Sequence, residues 1–233
     1  MLAILKKELG SYFKSPLAYA FLGVFYLFSG IFFYSSMYNG ISEVNYIFSS
    51  MFLFILILTP LITMKLLSDE KRTKTDQVLL TAPLSLNKII FAKFISAYIM
   101  FFTASAINII YGIILSFYSS INWLSLFANL LGMLLLGGAI ISIGLFISSL
   151  TESQVISAVA TFGVIIFLIL MDSFFNNISY APLNTFIKWI SLNSRYDPFT
   201  IGIIDYSNIL YFLSIMAIFV FLSIKVWDSR RYR

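Results

Sequence analysis

The sequence predicts an all-α polytopic membrane protein: six transmembrane helices preceded by an N-terminal amphipathic helix that lies in the membrane interface. Three observations carry this. Of the 233 residues 60% are hydrophobic and the mean hydropathy is +0.95, whereas soluble domains are roughly 45–50% apolar. Apolar runs long enough to cross a hydrocarbon core of about 30 Å recur six times along the chain. Thirteen of the fifteen basic residues fall in the first 14 residues, in the segment 65–93, or in the last 9. Lys and Arg are costly at a bilayer centre, and short connections rich in them stay on the cytoplasmic side. The charge map therefore places both termini and the segment 65–93 in the cytoplasm of a multi-pass plasma-membrane protein. Residues 1–233 form one transmembrane domain, with no room beside six spans for a separate soluble enzyme domain.

In residues 1–15, Leu2, Leu5, Leu9, Tyr12 and Phe13 share a helical stripe, while Lys6, Lys7, Glu8, Ser11 and Lys14 lie elsewhere. That is the pattern of an elbow helix with its apolar face toward lipid. Pro16 then allows a sharp turn into the first span. This apolar run is longer than the ~7–15 residues of a signal-peptide core and is followed by no small-residue cleavage site, so it reads as a retained span. The spans are expected near 17–38, 46–66, 94–118, 124–150, 155–176 and 206–226. The outer connections, 39–45, 119–123 and 177–205, carry only Lys188 and Arg195 as basic residues; the inner ones are 67–93 and 151–154. After Pro182, the residues Leu183, Phe186, Ile187 and Ile190 recur with helical spacing, with Trp189 and Tyr196 nearby, predicting a short anchoring helix at the outer interface. In span four, Gly138/Ser142 and Gly144/Ser148 are small-xxx-small pairs that permit close helix packing. Ionisable residues are nearly absent from the middles of the spans. Asp172, near the outer end of span five, is the exception, which weakens the case for an ion-driven carrier.

The chain has no cysteine and no histidine. Disulfides, thiolate metal sites and the commonest metal ligand and general base are therefore excluded. No phosphate-binding G-x-x-x-x-G-K-[ST] loop and no G-x-S-x-G elbow occurs. The expected catalytic, cofactor-binding and metal-binding residues are none, and the chain is not expected to be an enzyme. The net charge of +5 follows the positive-inside pattern and does not indicate nucleic acid. What remains is the segment from Lys65 to Ser85. It opens with charges of both signs, Asp69, Glu70, Lys71, Arg72 and Lys74. Thr75 and Asp76 can then start a short helix through Leu80, and Pro83 stops it. Val78, Leu79 and Leu80 give this element an apolar side suited to a groove on a soluble partner. The plainer alternative is a solvated loop lying on lipid headgroups.

Several blocks in the chain look familiar together: Glu70-Lys71-Arg72, Lys74-Thr75-Asp76-Gln77, Leu79 to Ser85, Lys93, Gly144 to Gln154, Tyr196-Asp197-Pro198-Phe199 and Gly202 to Asp205. With these the sequence resembles the ABC-2-type transporter permeases, in particular those similar to gliding-motility permease subunits. It departs in one place: the family commonly has a Gly-Thr pair with an acid two residues after the Thr, where this chain has Lys74-Thr75 and Gln77. The resemblance implies the membrane subunit of an ATP-binding cassette transporter, an exporter. Its ATP and magnesium would sit on a separate P-loop ATPase, and a second permease copy or a paralogue would complete a homo- or heterodimer surrounded by membrane lipid. It also implies an ATPase contact at Glu70, Lys71, Arg72, Thr75, Asp76, Val78, Leu79 and Leu80, and a second contact at Thr151, Glu152 and Gln154. Spans without strong charges suit an apolar or amphiphilic substrate. Two alternatives remain open: a stand-alone secondary transporter or channel, and a non-transporting scaffold that recruits a cytosolic partner.

Overall fold

Backbone buried in hydrocarbon must satisfy its own polar groups, so long apolar runs become helices. The computed structural model describes residues 2–39, 44–75, 85–118, 122–175 and 190–230; all the regular structure in these is helical. Helix α1, Leu2–Lys14, ends at Ser15, whose hydroxyl accepts a hydrogen bond from the amide of Leu17 (3.4 Å). With Pro16 in the first helical position, where its missing N–H costs nothing, this starts α2, Pro16–Tyr38. Then come α3, Val44–Thr63, and a single helical turn, α4, Ser68–Arg72. Helices α5, Leu86–Ser105, and α6, Ile107–Ser116, continue one another through Ala106, which keeps right-handed helical angles. Asn122 caps α7, Trp123–Leu150, accepting from the amides of Leu124 (3.0 Å) and Ser125 (3.4 Å). The last elements are α8, Gln154–Phe175, α9, Leu192–Thr200, and α10, Tyr206–Arg230.

Among the described residues six helical stretches are long and apolar enough to cross a membrane: Pro16–Tyr38, Asn45–Arg72, Leu86–Ser116, Trp123–Leu150, Gln154–Met171 and Tyr206–Ser229. The 28 residues of α7 reach roughly 42 Å at 1.5 Å per residue, more than the hydrocarbon core requires. The chain is an all-α polytopic membrane protein.

Helix α7 is the axis of the bundle. It packs against α3 and α10 most extensively and also meets α5, α8 and α9. Its glycines are used inside the chain. A Cβ on Gly144 would stand 2.2 Å from the hydroxyl of Thr63 on α3, and one on Gly137 would stand 2.2 Å from the Phe101 ring on α5. By contrast α2, α8 and α10 are largely exposed along their apolar windows, as lipid-facing or subunit-facing helices are. Polar side chains also tie the helices to one another. Ser29 on α2 donates to Asn108 of α6 (3.1 Å). Asn45 on α3 accepts from both Ser125 (2.9 Å) and Asn129 (3.0 Å) of α7. Tyr196 seats α9 by donating to the carbonyl of Phe48 (3.1 Å).

Two expectations meet a different geometry. The third long helix opens at Leu86, upstream of the span expected from 94, because Lys93 is neutralised by two glutamates and so sits inside a helix that the charge rule would interrupt. In the connection before the last span the described helix is α9; the helix expected after Pro182 falls, except for Ile190, outside the described residues, as does the side chain of Asp172.

Candidate functional site

The site lies where α3 ends. Close approach at Gly144 brings the last turn of α3 against the lower half of α7, and the chain turns through 64–67 into α4. The first amides of a helix have no partner within it. Here Ser148 of α7 supplies one: its hydroxyl accepts from the amides of Leu67 and Ser68, both at 3.0 Å, and donates back to the carbonyl of Met64 (3.3 Å). One turn on, the ammonium of Lys71 donates to the carbonyl of Ser149 at the end of α7, where a cation is favoured by the helix dipole. Asp69 accepts from the Gln154 amide of α8 (2.6 Å) and pairs with Arg72 (2.9 Å). The two cytoplasmic contacts expected from the sequence, around residue 70 and at 151–154, are thereby joined into one polar unit.

A second set of contacts fastens α4 on its other side. The ammonium of Lys93 on α5 lies 2.7 Å from Glu70 and 3.1 Å from Glu8 of α1. The three side chains are 2%, 12% and 14% exposed, so water screens them little, and loss of one partner would strand a buried charge. Tyr12 adds a further tie between α1 and α3 by donating to the carbonyl of Ile62 (3.0 Å); burial, aided by the nearby Glu8 carboxylate, raises the pKa of its hydroxyl. Between α1, α3, α4 and α5 is a cavity of about 250 Å³.

Of the residues expected to touch a partner, Arg72, Thr75 and Glu152 are exposed, and Thr151 and Gln154 are partly so. Asp76, Val78, Leu79 and Leu80 lie outside the described residues. Glu70 and Lys71 turn inward: Lys71 is 4% exposed, held there by the carbonyl of Ser149, so it is no solvated flank charge. Lys74 has φ +56°, in the left-handed region where glycine is favoured. This is the position of the glycine common in the resembled family, and its backbone angle supplies the reason. Sequence reasoning missed Glu8, Lys93 and Ser148 as parts of the site. Their signals were faint: one acid on a basic helix, and a lysine and a serine that lay in the blocks of the resemblance but were given no role beyond heading an apolar run and packing.

The chain belongs to the ABC-2 family transporter proteins, whose family model matches residues 2–230. It is thus a permease, the membrane subunit of an ATP-binding cassette transporter. No curated protein matches it.

Proposed function

We propose that this permease is the transmembrane half of an exporter in the plasma membrane, with both termini and α4 cytoplasmic and with ATP hydrolysed on a separate P-loop ATPase. ATP and magnesium belong to that partner; no residue of this chain is assigned to either. The observation that carries the reading is the double anchorage of α4: to α7 and α8 through Ser148, Lys71 and the Asp69–Gln154 bond, and to α1 and α5 through Lys93. A partner that grips residues 72–85 and the turn at 151–154 therefore pulls on the central helix and on the elbow together. Closure of two ATPases on ATP favours one permease conformation over the other, and that differential binding shifts the inward/outward balance. Glu70 and Lys71 act by positioning the contact, and Arg72, Thr75, Thr151 and Glu152 by lying on it. A second permease, a copy or a paralogue, completes the transport path. The resemblance to gliding-motility permeases supports an assembly of this kind.

Co-expression with a P-loop ATPase encoded beside this chain tests the reading. The two should co-purify, and vesicles holding both should hydrolyse ATP faster than the ATPase alone. Transport by the permease alone, driven by an ion gradient, would favour the stand-alone carrier and overturn this proposal.

A further inference from the structure

We infer that the cavity between α1, α3, α4 and α5 binds the headgroup of a membrane phospholipid that carries a primary ammonium, that is, a phosphatidylethanolamine. Size comes first. At about 250 Å³ it lies just under the ~300–1,000 Å³ of pockets that enclose whole ligands, so it suits a headgroup whose tails stay outside. One wall is apolar, formed by Leu17 and Ala18 at the start of α2 and by Leu61 and Ile62 near the end of α3. Both helices are membrane spans, so this wall stands where acyl chains begin.

The same lining carries a balanced set of charges: Lys7, Lys65 and Lys93 against Glu8, Asp69 and Glu70. A simple anion or cation would meet as much repulsion as attraction there, whereas a zwitterion meets both signs. The charges are also unevenly committed. Lys93 serves two glutamates, which leaves one net negative charge in the triad. Lys7 and Lys65 take part in none of the ion pairs among the described residues, and both line the cavity, available to a phosphodiester. One oxygen of Glu70 pairs with Lys93; the other is buried and accepts no hydrogen bond. A buried acceptor without a donor is costly. The terminal torsion of a glutamate is soft, so this carboxylate can turn toward a donor in the cavity. Ethanolamine brings three N–H donors and a positive charge. Choline brings the charge but no N–H, and so leaves that oxygen unsatisfied. The added carboxylate of a serine headgroup would face Asp69 and Glu70.

The test uses the full chain in detergent micelles, with phosphatidylethanolamine and phosphatidylcholine of identical acyl chains added separately and bound lipid counted by native mass spectrometry. Wild-type protein is expected to retain one phosphatidylethanolamine per chain at least tenfold more tightly than phosphatidylcholine. Glu70→Gln should lose that preference. Lys7→Gln/Lys65→Gln, which leaves the buried triad intact, should weaken both lipids about tenfold; it also decides the matter if Glu70→Gln fails to fold. Equal retention of the two lipids by wild-type protein, or undiminished phosphatidylethanolamine binding in the double lysine variant, would overturn the inference. Water-soluble glycerophosphoethanolamine forms a third arm. Binding as tight as that of the lipid would reassign the cavity to a soluble ligand and also overturn it.

Discussion

An ammonium shut away from water needs acceptors for its donors, and Lys93 finds them in two carboxylates from separate parts of the chain. Replacing it with methionine would leave Glu8 and Glu70 buried together without their cation, a change that costs about 3–5 kcal/mol for a broken buried pair. Lys93→Met should lower stability by that amount in denaturant titrations in micelles. Adding Glu8→Gln and Glu70→Gln should restore most of it. At Lys74 the opposite sign is expected. A left-handed angle costs a residue with a Cβ about 1–2 kcal/mol, part of which glycine gives back through greater freedom in the unfolded chain. Lys74→Gly should therefore stabilise by roughly 0.5–1 kcal/mol in the same titration. Sequence showed Glu70 as a member of a charged segment and, through the resemblance, as an ATPase contact, but not as half of a buried ion pair. Its partner is on another helix, and a charge pattern holds no information about which lysine will be brought against which acid. The burial of Lys71 is hidden for the same reason: the carbonyl that claims it belongs to Ser149, far along the chain.

Among the elements, α4 is too short to be stable alone and exists because α7 supplies what it lacks. Ser148→Ala, close in volume, removes the acceptor for two buried amides. Each orphaned donor costs about 1–3 kcal/mol, so the variant should be destabilised by roughly 2 kcal/mol or more and should expose residues 67–72 to faster amide hydrogen exchange, while exchange in α10 stays as it was. The long helices were legible because length and apolarity mark them directly. The start of α5 was not, since its first turns carry Lys88 and Lys93, and only the tertiary pairing with Glu8 and Glu70 makes the second of these compatible with burial. The pairing of α4 with the α7–α8 turn was equally hidden. Both pieces were expected to meet a partner, yet nothing in their spacing says that they meet each other.

For the whole molecule, the topology and the coupling can be read separately. The chain has no cysteine, so single cysteines report position cleanly. In intact cells an impermeant thiol reagent should label Asn39→Cys and Asn122→Cys but spare Lys74→Cys; the reverse pattern would invert the bundle in the membrane. The coupling claim is that the segment after α4 grips an ATPase through its apolar side. Contacts at the centre of a small interface carry about 2 kcal/mol or more each, while charges on a solvated rim carry about 0–1 kcal/mol. The deciding measurement is ATP turnover and partner pull-down in reconstituted membranes, comparing Val78→Ala/Leu79→Ala with Arg72→Ala/Lys74→Ala. The apolar pair should weaken ATPase association by roughly several hundredfold, given tenfold per 1.4 kcal/mol, and abolish stimulated turnover, and the charged pair should change association by less than about thirtyfold. If the apolar pair inserts normally and leaves association and turnover unchanged, this segment is not the coupling element.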